Sequence, residues 1–197
     1  MSTSILFMSM SLDGYIADEN DFLGGDDGQR LHRWFAPNGT FGDVAAAAQD
    51  VYAEVNSPGA VVTGRRTAEL MDHWGGDLHG VPIFVPSHRP AGPAARWGYP
   101  NVHYVTEGIE SAMRQAKAAA GDRHVYVQGG YTAQQTIAAG LLDELQIHLV
   151  PVLLGRGRRL FDQLPAEVGL ETVRVIDTPD ATHLRYRIVR HADISTQ

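Results

Sequence analysis

Three short segments combine glycine, hydroxyl and guanidinium groups in a pattern suited to holding phosphate. They are Gly64-Arg65-Arg66-Thr67, Pro86-Ser87-His88-Arg89 and Gln128-Gly129-Gly130-Tyr131-Thr132. Arginine offers a planar fork of donors, serine and threonine add hydroxyls, and glycine lets a ligand approach the backbone. Each segment follows an apolar, β-branched run: AVVT (60–63), VPIFVP (81–86) and HVYV (124–127). GRRTAELM and TAQQTIAAG then read as helices, whose first turns direct unpaired N–H groups outward. Thr132 and Gln135 have capping-box spacing. Taken singly, each segment also reads as an ordinary polar turn. Three at the carboxyl ends of strands in one chain read as the seat of an extended ligand, with a diphosphate and a further phosphate.

Other chemistries fit less well. Gly59 to Thr67 spans P-loop length, but a buried strand fills the space between its glycines and the lysine is absent. Gly155-Arg156-Gly157 does not complete a dinucleotide GxGxxG. The 9 histidines are scattered without ligand spacing and there are no cysteines, so no metal site is expected. Asp143 and Glu144 are adjacent, hence on opposite faces of a strand, and read as a solvated corner rather than a carboxylate pair. The Arg156, Arg158 and Arg159 loop reads as solvated, with an anionic ligand as the other possibility.

The elements that must position these groups follow from periodicity. ILFMSM (5–10) is a strand leading into the turn-rich SLDG. QRLHRWF is a short helix, and residues 43–56 form a longer one with Asp43 at its start and Pro58-Gly59 beyond its end. NVHYVT (101–106) is a strand, and EGIESAMRQAKAAAG is a helix whose apolar face carries Ile109, Ala112, Met113 and Ala116. DELQIHLVPVLLG reads as one long strand, apolar on both faces, suited to a sheet centre or a subunit interface. ETVRVIDT and THLRYRIV then form a terminal antiparallel pair around Pro179-Asp180. The result is an α/β chain with about eight strands and four or five helices in one mixed, mostly parallel sheet.

Composition agrees with this. The chain has 197 residues, 44% hydrophobic and 20% charged, which fits one globular domain over 1–197. A net charge of −7 without a basic block speaks against nucleic-acid or membrane-surface partners. No run is long enough to span a membrane and the first residues do not read as a secretory signal, so a cytoplasmic location is expected. Asn38-Gly39-Thr40 is then a chance glycosylation sequon.

The order SLDGYIA, GRRT, FVPSHRP, VQGG and DELQIHLVPVLLGRGRRLF resembles the dihydrofolate reductase superfamily. It is closer in pattern to the reductase domain of riboflavin-biosynthesis deaminase-reductases than to classical folate enzymes, and reads as a stand-alone relative. The resemblance implies a dihydrofolate reductase-like fold and NADPH as hydride donor to a C=N or similar bond of a small heterocycle. It places Gly64, Arg65 and Thr67 near cofactor phosphates, and Ser87, His88 and Arg89 at the adenosine 2′-phosphate. Gln128, Gly129, Gly130, Tyr131 and Thr132 would hold the diphosphate. Ser9 and Met10 would lie beside the nicotinamide, and Asp13 would orient the substrate or relay a proton. Tyr15, His32 and Trp34 are further pocket candidates. The chain has Gln128 where the riboflavin reductases usually carry glutamate, so the cofactor site is expected to persist with a changed substrate. A ribosylaminopyrimidine reductase, a dihydrofolate reductase and an NADPH-binding sensor without turnover are the alternatives. The relatives often pair, so a homodimer is expected.

Overall fold

A computed structural model describes residues 2–19, 26–35, 46–92, 98–162, 164 and 166–189. Asp43, Asn38-Gly39-Thr40 and the end of the chain lie outside the described residues. The strands are β1 (Ser4–Ser11), β2 (Tyr15–Ala17), β3 (Ala60–Thr63), β4 (Ile83–Pro86), β5 (Val102–Val105), β6 (Val125–Gln128), β7 (Glu144–Val150), β8 (Arg158–Arg159), β9 (Gly169–Asp177) and β10 (Thr182–Val189). The α-helices are α1 (Asp26–His32), α2 (Gln49–Val55), α3 (Arg65–Leu70), α4 (Ile109–Ala120) and α5 (Gly130–Ala138). One eight-stranded sheet has the order β5-β4-β3-β6-β1-β7-β10-β9, and β2 pairs with β8 apart from it. All pairings from β5 to β7 are parallel, whereas β10 runs antiparallel to both β7 and β9.

Alternation along the strands builds a core on each face. Leu6, Val62, Val125 and Val127 point to one side, where Ala112, Met113 and Ala116 of α4 and Ala133 of α5 cover them. Ile5, Phe7, Val61 and Tyr126 point to the other, under Leu31, Trp34 and Val51. Small residues on α4 let it lie close to the sheet. Gly59 shows how close, because a Cβ there would sit 2.7 Å from Ala120.

Several sequence expectations change in detail. The long apolar run does not continue as one strand: β7 ends at Val150, and Pro151, which has no N–H, starts an irregular exit through residues 151–155. Helix α5 starts at Gly130, with Gly129 as its N-cap and no side-chain cap bond, so Thr132 lies inside the first turn and the capping box does not form. The segment before α2 is a 3₁₀ turn (Ala46–Ala48) rather than continuous α-helix. Asp143 and Glu144 are not a solvated corner. Asp143 accepts the N–H of Ser4 at 2.9 Å and its hydroxyl at 2.7 Å, and also meets Lys117 at 3.2 Å. Glu144 pairs with Arg185 at 2.7 Å.

Glu54 ties α2 to four strands. Its carboxylate takes two bonds from Arg174, at 2.8 and 2.7 Å, and one from Gln146 at 2.7 Å, with Arg185 at 3.5 Å. Its carbonyl accepts the Tyr126 hydroxyl at 2.7 Å. Burial alone would raise the carboxyl pKa, but the donors from Arg174 and Gln146 outweigh it and hold the group ionised. Glu54→Ala leaves two arginines without their shared partner and is expected to lower stability by about 2 kcal/mol, read as a reduced urea midpoint at unchanged m-value.

Candidate functional site

The carboxyl ends of β1, β3, β4, β5 and β6 open on a single cleft of about 850 Å³. Its wall contains Gly64, Arg65, Thr67, Ser87, His88, Arg89, Gln128, Gly129, Gly130, Tyr131 and Thr132, together with Ser9. All three phosphate-type segments therefore meet, as their position after parallel strands requires. His32 and Trp34 also line the cleft. Met10 does not. It packs against the core beneath, and Met8 takes the place on the wall, its sulfur accepting the Gly129 N–H at 3.3 Å. Tyr15 lines a smaller adjoining cavity with Arg158, Arg159 and Tyr131.

The turns after β3 and β6 interlock. The two strands are neighbours in register, Thr63 beside Gln128. A Cβ on Gly64 would lie 2.9 Å from Thr132 Oγ1, and one on Gly129 would lie 3.1 Å from Thr67 Oγ1. Gly129 also has φ of +87°, a conformation that residues with a Cβ avoid. Gly130 answers a different constraint: the Arg159 carbonyl passes 2.8 Å from where its Cβ would be. The first glycine permits the turn, and the second admits the β2–β8 flap against the helix start. This is where α5 presents its unpaired N–H groups.

Arg65 organises the next turn. Its Nη1 donates to Ser87 Oγ at 3.1 Å and to the carbonyls of Arg89 and Pro90 at 3.1 and 3.2 Å, while its Nε pairs with Glu69 at 2.7 Å. The Ser87 hydroxyl donates to the Arg89 carbonyl at 2.8 Å and accepts the Arg89 N–H at 3.1 Å. The loop is thus closed on itself, with His88 and Arg89 left exposed at its rim. Among the described residues no aspartate or glutamate lines the cleft. A chain with a net charge of −7 has built a locally cationic wall.

Asp13 lies outside this wall. Its carboxylate accepts the Ser11 hydroxyl at 2.6 Å and the N–H groups of Leu154 and Gly155 at 3.1 and 2.7 Å. The Ser11 hydroxyl first, and the N–H groups of Gly155 and Leu154 with it, outweigh the opposing effect of burial and hold its pKa down to about 2. A carboxylate so engaged clamps the chain leaving β7 to the turn leaving β1. The carboxylate is thereby fixed by groups of its own chain. Arg159 completes the clamp, stacking on Tyr15 with 4.6 Å to the ring centroid and donating to its hydroxyl at 3.1 Å.

Sequence reasoning named Trp34 and Ser9 but missed the contact between them and the histidine pair beneath. Trp34 donates to Ser9 Oγ at 2.9 Å and stacks on His148, with centroids 4.1 Å apart. His148 and His183 face each other across β7 and β10 with Nδ1 atoms 2.8 Å apart. His148 Nε2 is buried with no partner among the described residues. A bare lone pair is the cheaper orphan, so His148 donates its Nδ1–H to His183. Burial pushes His148 well below 6.5, and burial pushes His183 down to about 4. The two positions lie far apart in sequence, and only antiparallel register could have paired them.

The fold and cleft define an α/β protein of the dihydrofolate reductase type. The chain belongs to the family of RibD C-terminal domains, whose profile matches residues 3–184. It is similar to a putative riboflavin biosynthesis protein from Shewanella sp. PV-4, with 28% identity, TM-score 0.73, and coverage of 95% of this chain and 99% of that one. The fold recurs in a Thermotoga maritima diaminohydroxyphosphoribosylaminopyrimidine deaminase/5-amino-6-(5-phosphoribosylamino)uracil reductase (14%, TM-score 0.58), where the match covers 95% of this chain and 57% of that one. It also recurs in Enterococcus faecalis dihydrofolate reductase complexed with NADP(H) and RAB-propyl (16%, TM-score 0.60), where coverage is 95% of this chain and 97% of that one. No curated protein matches the chain.

Two measurements check this geometry. Gly130→Ala forces the Arg159 carbonyl away and is expected to lower stability by about 1–3 kcal/mol, read as a drop in Tm. The histidine pair predicts a pH slope. Its native pKa values lie below the unfolded value of 6.5, so its contribution is complete above that pH and is lost as pH falls through 6.5 toward 4. Urea midpoints should therefore fall between about pH 7.5 and pH 5, and His183→Gln should flatten the slope.

Proposed function

We propose that the protein is an NADPH-dependent reductase of small, uncharged heterocycles that carry a C=N or similar polarised double bond. The observation that carries this reading is one cleft that joins a cationic, glycine-lined half to an apolar half. NADPH fits the first half on three grounds. The volume lies in the range of cofactor sites. The donors are arginines, hydroxyls and the start of α5. No carboxylate among the described residues would repel a phosphate.

In this reading Gln128 to Thr132 hold the diphosphate, with Gly64 and Thr67 across from them. Arg65 fixes the Ser87–Arg89 loop, and His88 and Arg89 meet the 2′-phosphate. When bound, the reduced nicotinamide supplies a hydride. Ser9, already accepting from Trp34, keeps its own proton to donate to the carboxamide or to the acceptor. Met8, Ile16 and Ala17 keep water from the reacting faces. A C=N acceptor held there would take the hydride at carbon and a solvent-derived proton at nitrogen through the Ser9 hydroxyl, giving C–N and the oxidised cofactor. Asp13 shapes the flap that closes this space and is a positioning residue in this scheme.

The reading extends to assembly and location. Strand β9 is a sheet edge with Leu170, Val173 and Val175 exposed at 46%, 44% and 55%, which supports pairing with a second copy of the chain. No helix among the described residues is long and apolar enough to cross a membrane, in keeping with the proposed cytoplasmic location.

Titration followed by energy transfer from tryptophan to nicotinamide tests the cofactor. Tighter binding of NADPH than of NADH is expected, and Arg89→Ala should weaken NADPH by about tenfold while leaving NADH unchanged. Equal affinity of the wild type for both cofactors would remove the 2′-phosphate role, and no binding of either would overturn the reading. NADPH oxidation with dihydropterins, ribityl pyrimidines, imines and quinones then separates a reductase from a sensor.

A further inference from the structure

The segment after α3 has an unusual backbone. Asp72, His73, Trp74, Gly75 and Gly76 all have positive φ, at 44°, 53°, 51°, 64° and 84°. Three of these residues carry a Cβ, and such residues enter the left-handed region singly rather than in runs. A conformation of this kind persists only where its surroundings over-determine it. Here they do so from two sides. His73 is 1% exposed, its Nε2 lies 2.8 Å from the Tyr104 hydroxyl, and its ring sits between Tyr99 and Tyr104. Gly76 lies against Tyr99 so closely that a Cβ would be 2.6 Å from that ring.

What this braced turn delivers is Trp74, which lines the cleft. Trp74 packs with Leu78 in one apolar cluster, and Leu78 also joins the cluster that holds Trp34, Phe35 and Val55. The apolar half of the cleft is therefore a continuous surface from Trp34 to Trp74. The cleft has no carboxylate among the described residues, hence no ionic partner for an amidine-like ring. Rigid aromatic walls bind flat π-systems through stacking with little loss of side-chain entropy.

We propose that Trp74 is a specificity-determining residue that stacks on the acceptor and selects flat, uncharged, conjugated rings over small acyclic acceptors. This rests on the reductase reading for its meaning, yet its binding test does not require turnover. Lumazine, an uncharged fused heteroaromatic, serves as the probe and is titrated calorimetrically into the protein with and without NADP⁺. Trp74→Ala is expected to weaken lumazine by about three- to tenfold, Trp74→Phe to restore most of that loss, and neither to change NADPH affinity. With turnover, Trp74→Ala should raise KM for a naphthoquinone and leave KM for an acyclic enone unchanged. Lumazine binding that is undetectable in the wild type, or equal in the wild type and Trp74→Ala, overturns the proposal, as does an equal KM rise for both acceptors. If Trp74→Ala does not fold, Trp74→Leu, which keeps bulk but has no ring, takes its place with the same expected loss. Failure of the reductase reading is seen separately, as absent NADPH binding with lumazine stacking intact.

Discussion

The site depends on how closely two strand-to-helix turns can approach. Neighbouring parallel strands lie about 4.8 Å apart, so the turns leaving β3 and β6 compete for the same space. Gly64 faces Thr132, and Gly129 faces Thr67, each glycine yielding to the other turn's threonine. This exchange brings both helix starts to one place. Every other feature of the cationic wall is arranged around that contact. Arg65, the first residue of α3, reaches the loop after β4, and the flap of β2 and β8 closes on Gly130.

The division of labour between the halves of the cleft follows from what each is attached to. The cationic half is built from backbone turns and from Arg65, which ties the start of α3 to the loop after β4, so it is braced before any ligand arrives. The apolar half stands on side chains: Trp34 on a buried histidine pair, and Trp74 on a left-handed turn held by two tyrosines. A side chain in the apolar half can be exchanged without disturbing the backbone interlock of the two turns. Gln128, the last residue of β6, belongs to the cationic half of the wall.

The sheet was legible because its strands alternate or run apolar, and because glycine and proline punctuate them. Gly121 and Gly140, both at positive φ, close α4 and α5 where the periodicity ends. The three phosphate-type segments were legible because the chemistry is local, with each group close to the others in sequence. The floor was not. Trp34, Ser9, His148 and His183 come from four separate elements, and no spacing relates them. Asp13 was legible as a turn residue, but its hold on Leu154 and Gly155 was not, because these are distant backbone groups with no signature of their own. The extent of β7 was overread because Val152, Leu153 and Leu154 continue the apolar pattern beyond Pro151, where pairing has stopped.

The place of β1 has a consequence for how the chain is made. Ser4 pairs with Val125 and Ile5 with Glu144, so the strand synthesised first is the one flanked on both sides by strands synthesised late. Asp143 fastens Ser4 at that same junction. While the ribosome is still adding the middle of the chain, ILFMSM has no partner to cover it. The hairpin of β9 and β10 closes quickly once it emerges, but the centre of the sheet waits for long-range closure. A nascent chain of this design depends on being shielded during synthesis, and truncation before β7 leaves its most apolar strand with an open edge.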